Sequence, residues 1–516
     1  MSCIIVVDFG SQFTQLIARR IRELNVYCEV IPHSDCSAFR KAEKEVLGII
    51  LSGGPSSVAE VISPTVPPEV WSCNVPVLGI CYGMQAMVKE WGGIVHQDGI
   101  REFGHSHLIY QPSRLWSNIS IDKKQDVWTS HSDQVLSLPK CCRSIAHSTN
   151  EVCAAFEHLE KPYWGIQFHP EVTHTINGNQ ILRNFVLDIC NCQPTWTMSN
   201  FSNQAIASIR NDVGDDKVVL GLSGGVDSSV AAALIHQAIG NSLHCVFIDN
   251  GLLRKNEAQQ VCSSFQKIGL PIKHINASGP FLTALSGVSD PEKKRKIIGK
   301  EFITVFEKEA TSLNAKWLAQ GTIYPDVIES SNSSCSSQVI KSHHNVGGLP
   351  QNLNLKLLEP LRYLFKDEVR NLGKTLGLPD FLIHRHPFPG PGLAIRISGN
   401  ITPEAIACVR EADAIFIDEL HNNKCEDGKS YYEHLSQAFA VYLPVCSVGV
   451  MGDARTYNAT ICLRAVETVD FMTAQWSSLP ASLLSTISHR IINEVAGINR
   501  VVYDISNKPP ATIEWE

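Results

Sequence analysis

The 516-residue sequence lacks any apolar run close to the roughly 20 residues that a membrane-spanning helix requires. It also lacks an excess of positive charge, because it has 44 Lys and Arg residues and 51 Asp and Glu residues, which gives a net charge of −7. A membrane protein and a protein that binds nucleic acid through bulk electrostatics are therefore not expected. The apolar residues at positions 1–8 are expected to form a buried first strand rather than a signal peptide.

The sequence has 17 cysteines but no C-x-x-C pair, so neither a zinc ribbon nor a thioredoxin-like site is indicated. Most of these thiols are expected to be small buried side chains of a protein in the reducing cytoplasm. Internal repeats and low-complexity tracts are absent as well. At this length the chain is expected to form about three domains.

Short apolar runs alternate with amphipathic runs along most of the chain. This alternation predicts the α/β class, with two doubly wound parallel-sheet domains followed by a smaller α+β domain. The expected boundaries are residues 1–193, 198–385 and 386–516. A linker is expected at Cys190–Asn200, where periodicity breaks, and a junction at the Pro/Gly-rich segment His384–Gly392.

A cysteine at a sharp turn is the first candidate for catalysis. Cys81 lies in a G-x-C-x-G sequence between an apolar run and a helical run. This context is that of a nucleophile elbow, and the N-terminus of the following helix favours the thiolate. His169 and Glu171 project to the same side of an extended segment, so they offer a base and a group that orients it. The N–H of Tyr82 and the turn at residues 52–55 are expected to form an oxyanion hole.

The first domain resembles the class I glutamine amidotransferases. The resemblance rests on DFGSQ at 8–12, SGGP at 52–55, GICYGMQ at 79–85 and HPE at 169–171. Residues 130–133 resemble the S-H-x-D loop of that family, with Ser at the third position where relatives usually carry Gly. The resemblance implies a Cys-His-Glu triad that forms a γ-glutamyl thioester and releases ammonia. The residues implied are the triad Cys81, His169 and Glu171, with Gly54, Tyr82, Gln85, His131 and Asp133 in the oxyanion hole and glutamine pocket.

A loop rich in serine and glycine joins a strand to a helix at residues 222–229. Its backbone N–H groups and hydroxyls can surround a phosphate at the N-terminus of the helix. It is neither a Walker loop nor a dinucleotide fingerprint, because G-x-x-x-x-G-K-[ST] and G-x-G-x-x-G are both absent. Asp227 would repel a phosphate unless a cation lay between them, so Mg²⁺ is implied.

The S-G-G-x-D-S-[ST] sequence of this loop resembles the signature of the N-type ATP pyrophosphatases, which bind the β,γ-pyrophosphate of ATP and transfer AMP to an acceptor oxygen. The resemblance extends to Val246–Gly251, expected beside the adenosine, and to residues 321–329, similar to a second nucleotide strand and lid. It implies ATP as a substrate, with Mg²⁺ at Asp227. The ATP-binding residues implied are Ser223, Gly224, Gly225, Val226, Asp227, Ser228, Ser229, Asp249, Gly321 and Lys366, the last supplying the cation that the loop lacks.

Three later segments resemble the GMP synthetases that carry a dimerisation domain: Phe388–Ala394, Val448–Asp453 and Lys508–Glu516. With the earlier motifs, this resemblance covers essentially the whole chain. It implies that XMP, ATP and glutamine are converted through adenyl-XMP to GMP, AMP, pyrophosphate and glutamate by a cytoplasmic homodimer. The XMP-binding residues implied are Arg295, Phe388, Gly390, Gly392, Lys508, Thr512 and Glu514.

Alternatives remain open at this point. The same two chemistries suit a ligase that forms NAD or modifies tRNA, although the negative net charge and the KPPATIEWE tail count against it. A binding protein built on an inactive amidotransferase is a further class, and the intact residues at both sites count against it. The basic run at 293–296 can be a solvated helix face. The tail from Lys508 onward can be packed structure rather than a strap over XMP.

Overall fold

The structure is a computed structural model that describes residues 2–34, 45–60, 62–97, 102–121, 123–149, 152–327, 355–451, 453–468, 471 and 473–516. It divides into two compact units, one holding the described residues up to Phe201 and the other those from Ser202 onward. Among the helices in these ranges, none combines the length and the apolar character needed to span a lipid bilayer.

The first unit is built on a mixed sheet with helices packed against it. Its strands are β1 Ser2–Asp8, β2 Cys28–Pro32, β3 Glu45–Leu51, β4 Val77–Ile80, β5 Ile94–His96, β6 Glu102–Tyr110, β7 Gln125–His131, β8 Gln134–Ser137, β9 Cys142–Ser148, β10 Cys153–His158 and β11 Tyr163–Ile166. Its helices are α1 Thr14–Glu23, α2 Pro68–Ser72, α3 Tyr82–Glu90 and α4 Gly178–Arg183, with a 3₁₀ turn at Arg114–Trp116 and a π-helical segment at Asn184–Ile189.

Nine of these strands form one sheet in the order β2-β1-β3-β4-β11-β10-β9-β6-β7. The five strands from β2 to β11 pair in parallel, which confirms the predicted parallel sheet. The other four pair antiparallel, which the sequence analysis did not predict. The carboxyl ends of β3, β4 and β11 lie side by side at one edge, so the residues that follow them can meet.

The second unit contains two sheets. Its strands are β12 Val218–Leu222, β13 Leu243–Asp249, β14 Ile272–Asn276, β15 Trp317–Ala319, β16 Lys356–Leu358, β17 Gln437–Met451, β18 Ala454–Glu467, β19 Gln475–Trp476 and β20 Ile498–Tyr503. Its helices are α5 Met198–Val213, which includes the boundary between the units, α6 Val226–Ile239, α7 Glu257–Lys267, α8 Ser278–Ala284, α9 Pro291–Leu313, α10 Lys366–Thr375, α11 Asp380–Ile383, α12 Pro403–Asn422, α13 Tyr431–His434 and α14 Ala481–Glu494, with 3₁₀ turns at Gly240–Ser242 and Gly392–Arg396.

The first of these sheets is parallel throughout, in the order β14-β13-β12-β15-β16. The chain runs outward from β12 to β14 and then resumes on the opposite side of β12. This reversal makes the end of β12 a topological switch point, where ligands bind in open α/β sheets. The loop at residues 222–229 begins there, as the sequence predicted.

The second sheet is mixed: β18 pairs antiparallel with β17 and β19 and parallel with β20. One continuous hydrophobic core joins it to the parallel sheet, and its buried members include Val246 on β13, Phe416 on α12, Leu463 on β18 and Ile487 on α14. Since the two sheets bury apolar side chains against a shared set of helices, they form one compact unit.

Candidate active sites

The turn between β4 and α3 places Cys81 in a strained backbone conformation. Its φ of 53° and ψ of −107° are rarely adopted by residues other than glycine. The flanking glycines make this turn possible. A Cβ on Gly79 would lie 2.6 Å from Sδ of Met87, and one on Gly83 would lie 2.5 Å from the carbonyl oxygen of Leu51. The strand, the helix and the neighbouring strand therefore approach closely enough to force Cys81 into the elbow.

His169 and Glu171 follow β11, and their side chains meet. Nδ1 of His169 lies 2.7 Å from Oε1 of Glu171, and both residues are almost fully buried. Burial disfavours the charged imidazole, but the Glu171 carboxylate and the Cys81 sulfur outweigh it and raise the pKa of His169. The three groups predicted from the sequence are thus brought together. Their mutual interaction favours a protonated imidazole beside the sulfur.

The segment that carries the histidine is fixed by its backbone. The N–H of His169 donates to the carbonyl of Trp128 on β7 at 2.9 Å. The hydroxyl of Thr175 donates to the carbonyl of His169 at 2.6 Å and accepts from the N–H of Trp128 at 3.0 Å. Nε of Arg20 donates to the carbonyl of Glu171 at 3.1 Å. The antiparallel half of the sheet therefore positions a base that follows the parallel half.

The predicted oxyanion-hole residues lie beside this triad. A Cβ on Gly54 would come within 3.3 Å of the ring of Tyr82, and one on Gly53 would lie 3.4 Å from Cε1 of His169. The N–H of Tyr82 belongs to the first turn of α3, where backbone donors have no acceptor within the helix. A tetrahedral oxyanion formed at Cys81 would find such a donor next to it.

A chain of side-chain amides ends on Cys81, the candidate nucleophile. Nε2 of Gln85 donates to the backbone carbonyl of Asp133 and to Oε1 of Gln167, both at 3.2 Å. Since a backbone carbonyl can only accept, it fixes the Gln85 amide, and Gln85 in turn fixes the Gln167 amide. Nε2 of Gln167 is thereby directed to the Cys81 sulfur, 3.7 Å away. The sequence analysis missed Gln167, although it lies two residues before His169.

The loop residues His131 and Asp133 are buried near these amides. Nδ1 of His131 lies 3.1 Å from the carbonyl oxygen of Asp133, and Oδ2 of Asp133 accepts from the Ser57 hydroxyl at 2.5 Å. Ser132, the departure from the family pattern, donates to Oδ1 of Asp133 at 3.3 Å. The serine thus adds a local hydrogen bond to the loop.

In the second unit, the loop after β12 is organised by its own hydroxyls. Oγ of Ser223 lies 3.0 Å from Oγ of Ser228, and the hydroxyl of Ser229 donates to the carbonyl of Gly225 at 2.7 Å. Gly224 has a φ of 73°, which a residue with a side chain rarely adopts. Gly225 caps the N-terminus of α6, which Val226 begins. The first-turn N–H groups of α6 are thus exposed to an anion at the loop.

Two predicted residues from other elements meet this loop. Nζ of Lys366, the first residue of α10, lies 2.6 Å from Oδ2 of Asp227. A Cβ on Gly321 would lie 2.9 Å from the backbone of Asp227 and Ser228. Asp249, at the end of β13, accepts from the N–H of Gly251 at 2.9 Å. Arg385, which the sequence analysis missed, donates to the carbonyl of Gly224 at 3.0 Å.

The basic run at 293–296 lies on α9 and is only partly solvated. Lys294 is fully buried, so the alternative of a wholly solvated face is wrong for this residue. Its ammonium donates to the carbonyl of Ile397 at 2.7 Å and to the Glu516 carboxylate at 2.5 Å. The neighbouring Arg295 donates to the main-chain oxygen of Glu516. This end of α9 therefore binds the C-terminal residue.

Two buried arginines hold three of the predicted XMP-binding residues: Arg396 contacts Glu514 and Phe388, and Arg464 contacts Thr512. The Glu514 carboxylate accepts from Arg396 at 3.0 Å and from Gln437 at 2.6 Å. The Arg396 guanidinium also lies 5.0 Å from the ring of Phe388. Arg396 is fully buried, and the sequence did not single it out. Arg396 thus links Glu514 to Phe388, although it lies in neither of the two segments, 388–394 and 508–516, that contain them.

The tail from Lys508 onward is anchored by another buried arginine, Arg464. It donates to the carbonyls of Ile513 at 2.8 Å and Thr512 at 2.9 Å. The ammonium of Lys508 donates to the carbonyl of Phe471 at 2.7 Å. The hydroxyl of Thr512 donates to the carbonyl of Glu514 at 2.5 Å. The tail is therefore ordered against β18 by the chain itself.

The two predicted glycines of the 388–392 turn differ in their surroundings. A Cβ on Gly392 would lie 2.5 Å from the carbonyl oxygen of Leu252, and Gly392 has a φ of 63°, so this position requires glycine. A Cβ on Gly390 would meet nothing within 4 Å among the described residues. Two parts of the predicted motifs, residues 328–329 and Gly452, lie outside the described residues.

The sequence analysis left open whether the chain forms GMP, forms NAD or modifies tRNA, and comparisons with known proteins distinguish these alternatives. Three family models match: class I glutamine amidotransferase at residues 5–189, NAD synthase at 199–301 and GMP synthase C-terminal domain at 425–515. Among curated relatives, the GMP synthase [glutamine-hydrolyzing] of Methylobacillus flagellatus is 57% identical over 99% of both chains. The chain belongs to the glutamine-hydrolysing GMP synthase family. Relatives of the same name from Neisseria meningitidis serogroup C and from Azoarcus sp. are each 56% identical over 99% of both chains.

In this GMP synthase, the match to the NAD synthase model concerns only residues 199–301. It covers the strand–loop–helix region that contains residues 222–229, extends past Arg295, and ends before the other predicted XMP-binding residues. The full-length relatives extend through the C-terminal tail. The family assignment therefore rests on the whole chain, while the nucleotide loop is shared with a wider group of ATP-using enzymes.

Proposed function

We propose that this GMP synthase converts ATP, XMP, glutamine and water to AMP, pyrophosphate, GMP and glutamate. The observation that carries the proposal is a complete cysteine triad and a pyrophosphate-type loop in one chain whose relatives of the same length are glutamine-hydrolysing GMP synthases. One site supplies nitrogen, and the other activates the acceptor.

At the first site, the Cys81 thiolate attacks the carboxamide carbon of glutamine. The oxyanion that forms accepts from the N–H groups of Gly54 and Tyr82. His169, kept protonated by Glu171, gives a proton to the departing nitrogen, and ammonia leaves. Water, deprotonated by His169, then cleaves the thioester to give glutamate and the free thiolate. Gln85, His131 and Asp133 shape the pocket that receives the substrate.

At the second site, the C2 oxygen of XMP attacks the α-phosphorus of ATP and pyrophosphate leaves. The first-turn N–H groups of α6 and the hydroxyls of Ser223, Ser228 and Ser229 receive the β- and γ-phosphates. Lys366 adds a cation beside them, and Asp249 is placed to meet the adenosine. Ammonia then attacks C2 of adenyl-XMP and AMP leaves, which gives GMP.

The loop fits a magnesium ion as well as a phosphate. Oδ1 of Asp227 is buried and has no hydrogen-bond partner among the described residues, so one carboxylate oxygen is available as a ligand. Oδ2 is taken by Lys366. Carboxylate oxygen is a ligand that Mg²⁺ prefers, and a bound Mg²⁺ would offset the negative charge that develops on pyrophosphate.

XMP binding is proposed at Arg295, Lys508, Thr512 and Glu514 together with the turn that holds Phe388, Gly390 and Gly392. The positive side chains of this set donate to main-chain oxygens, and we expect a phosphate to replace these acceptors when XMP binds. Glu514 is different, because it is ion-paired with Arg396. We expect it to contact the nucleoside only through its remaining acceptor capacity.

The outer part of the mixed sheet is proposed to bind a second copy of the chain. Val448 on β17 lies opposite Tyr457 on β18, and they are 46% and 61% exposed. Val450, which shares a face of β17 with Val448, is 78% exposed. Large apolar side chains clustered on one surface are typical of an interface. Val448→Asp should convert the proposed homodimer to a monomer in a sedimentation experiment, whereas Ile94→Asp in the first unit should not.

The domain boundaries 1–193, 198–385 and 386–516 and the cytoplasmic location stay predictions. The described cysteines are all free thiols, which accords with a reducing compartment. Domain boundaries can be tested by limited proteolysis, which should cut first near residues 190–200.

The function is tested by incubating the chain with XMP, ATP, Mg²⁺ and glutamine and identifying the products. We expect GMP, AMP, pyrophosphate and glutamate in equal amounts. Deamido-NAD in place of XMP should give no product. Release of ADP and orthophosphate would contradict the adenylation step, and GMP formation without glutamate would contradict the role of the first site.

A further inference from the structure

Away from the two candidate active sites, a cysteine, an aspartate and a histidine converge between α12 and β17. The sulfur of Cys425, a carboxylate oxygen of Asp427 and a ring nitrogen of His434 all lie within 4.8 Å of one another. Within the described ranges, no other trio of His, Cys, Asp or Glu side chains is this close. A thiolate, a carboxylate and an imidazole are the three kinds of ligand that zinc binds.

The backbone positions these side chains before any ion is present. A tight turn is closed by the N–H of Cys425 donating to the carbonyl of Lys429 at 2.7 Å and by Gly428 donating to the carbonyl of Cys425 at 3.0 Å. Gly428 has a φ of 85°, which its position in the turn requires. Ser430 and Glu433 then form a capping box that starts α13, and this helix carries His434. The turn and the helix are therefore fixed relative to each other.

The charges around the cluster also favour a dication. Glu426 lies between Cys425 and Asp427 in the sequence, and Glu467 lines the same cavity as His434. The negative charges of these carboxylates attract a cation. Oδ1 of Asp427 lies 3.0 Å from Nε2 of His434 and 3.1 Å from the N–H of Lys429. One thiolate and one carboxylate would balance the two positive charges of the ion, with His434 neutral.

We propose that Cys425, Asp427 and His434 bind a divalent cation of the zinc class, with water at the fourth position. A tetrahedral zinc ion keeps its ligand atoms roughly 3.3–3.8 Å apart. A small movement of side chains that are 46% and 41% exposed, those of Asp427 and His434, closes the site. Binding displaces the thiol proton of Cys425 to solvent.

The position of the cluster gives the ion a neighbour with a role in the proposed function. His434 lines an open cavity of about 600 Å³ together with Glu467 and Lys508. A bound cation would add positive charge at the edge of the cavity that contains Lys508. The metal site itself does not depend on XMP binding there, so the two proposals can fail separately.

The test is a titration of the reduced full-length chain with Co²⁺, whose bond to a thiolate gives a charge-transfer absorption band. We expect Cys425→Ser to lose the band contributed by one equivalent of Co²⁺, and Asp427→Asn and His434→Gln to weaken binding at least about 10-fold. Zn²⁺ should displace the Co²⁺. Cys446→Ser, which changes an exposed cysteine on β17, is the matched control and should keep the band.

Two further measurements decide between binding and misfolding. Calorimetry with Zn²⁺ in buffers of different protonation enthalpy should show release of about one proton in the wild-type chain and not in Cys425→Ser. GMP formation by Cys425→Ser in the absence of Zn²⁺ should equal that of the wild-type chain, which shows that the variant is folded. An unchanged cobalt band in Cys425→Ser, or no band in the wild-type chain, would overturn the proposal.

Discussion

The cysteine site and the proposed nucleotide sites are held together by different kinds of interaction. At Cys81, buried groups are interlocked by hydrogen bonds that run from a backbone carbonyl through two amides to the sulfur. In the second unit, charged side chains are paired with one another, as Lys366 is with Asp227 and Arg396 is with Glu514. The first arrangement is ready for a neutral substrate, whereas the second must rearrange when charged ligands arrive.

The contrast follows from the substrates. Glutamine brings an uncharged amide to the reacting atom, so a fixed set of donors and one proton carrier suffice. ATP and XMP bring phosphates, and cations left unpaired until they bind would be unstable in a partly buried site. Internal ion pairs keep those cations in place. Mutations should therefore act locally at the first site and more widely at the second.

The largest expected effect comes from a change at Cys81, which should inactivate the first site and leave the second site active. Cys81→Ala should lower glutamine-dependent GMP synthesis by at least about 10⁴-fold, because no other group can form the thioester. Synthesis from ammonium salts should stay nearly intact and should rise with pH, because only unprotonated ammonia is nucleophilic. Assays with both nitrogen donors check this, and an equal loss with both would show that Cys81 supports the structure of the whole chain.

Asp227→Ala should act on both nitrogen donors alike. Removing the carboxylate leaves Lys366 unpaired and removes the proposed ligand of Mg²⁺, so we expect a loss of about 10²- to 10³-fold in GMP formation with glutamine or ammonium. Glutamate release at the first site should persist at its basal rate. If only glutamine-dependent synthesis fell, Asp227 would act in the coupling of the two sites and not in the adenylation step.

Lys508→Ala should weaken one ligand without stopping the chemistry. Loss of one charge-assisted contact to a phosphate costs about 1.5–3 kcal/mol, so the KM for XMP should rise roughly 10- to 150-fold, with the KM for ATP unchanged. Lys267→Ala, at an exposed lysine of the same unit, is the control. If XMP binds Lys508→Ala normally, the tail from residue 508 onward is packed structure and not a strap.

Gln167→Met tests the interlocked amides and should have the smallest effect on rate. Methionine has a similar shape but no N–H to donate to the sulfur, so the rate at which Cys81 reacts with iodoacetamide should change by roughly 2- to 10-fold. Gln125→Met, at another buried glutamine of the first unit, should leave that rate unchanged. An unchanged rate in Gln167→Met would mean that Gln167 only supports packing.

The parallel sheets were predictable because strands buried on both faces are short apolar runs. β13, with the sequence LHCVFID and most of its residues buried, is such a run. The antiparallel half of the first sheet was not predictable, because a strand such as β6, with its sequence EFGHSHLIY, has no continuous apolar run. The prediction therefore found the strands that precede the nucleophile and the phosphate loop and missed those that position His169.

The same division applies to the sites. Motifs with close spacing, such as HPE at 169–171, gave side chains that do meet in the structure. Lys294 was not distinguished from the lysines beside it, because its burial depends on Glu516, 222 positions later. Arg396 and Arg464 escaped notice for the same reason. Local patterns reveal catalytic groups, but which charge is buried depends on distant partners that no single segment contains.

The conformation of Cys81 sets catalysis against stability at one position. A left-handed backbone is strained in any residue with a side chain, and glycine relieves that strain. Cys81→Gly and Cys81→Ala both remove the sulfur, yet the glycine variant should be the more stable by about 1 kcal/mol. Selection for thermal stability alone would therefore drive this residue away from cysteine. In a variant engineered for heat resistance, the other residues of the turn between β4 and α3 can be changed without loss of activity only if Cys81 keeps its strained backbone conformation.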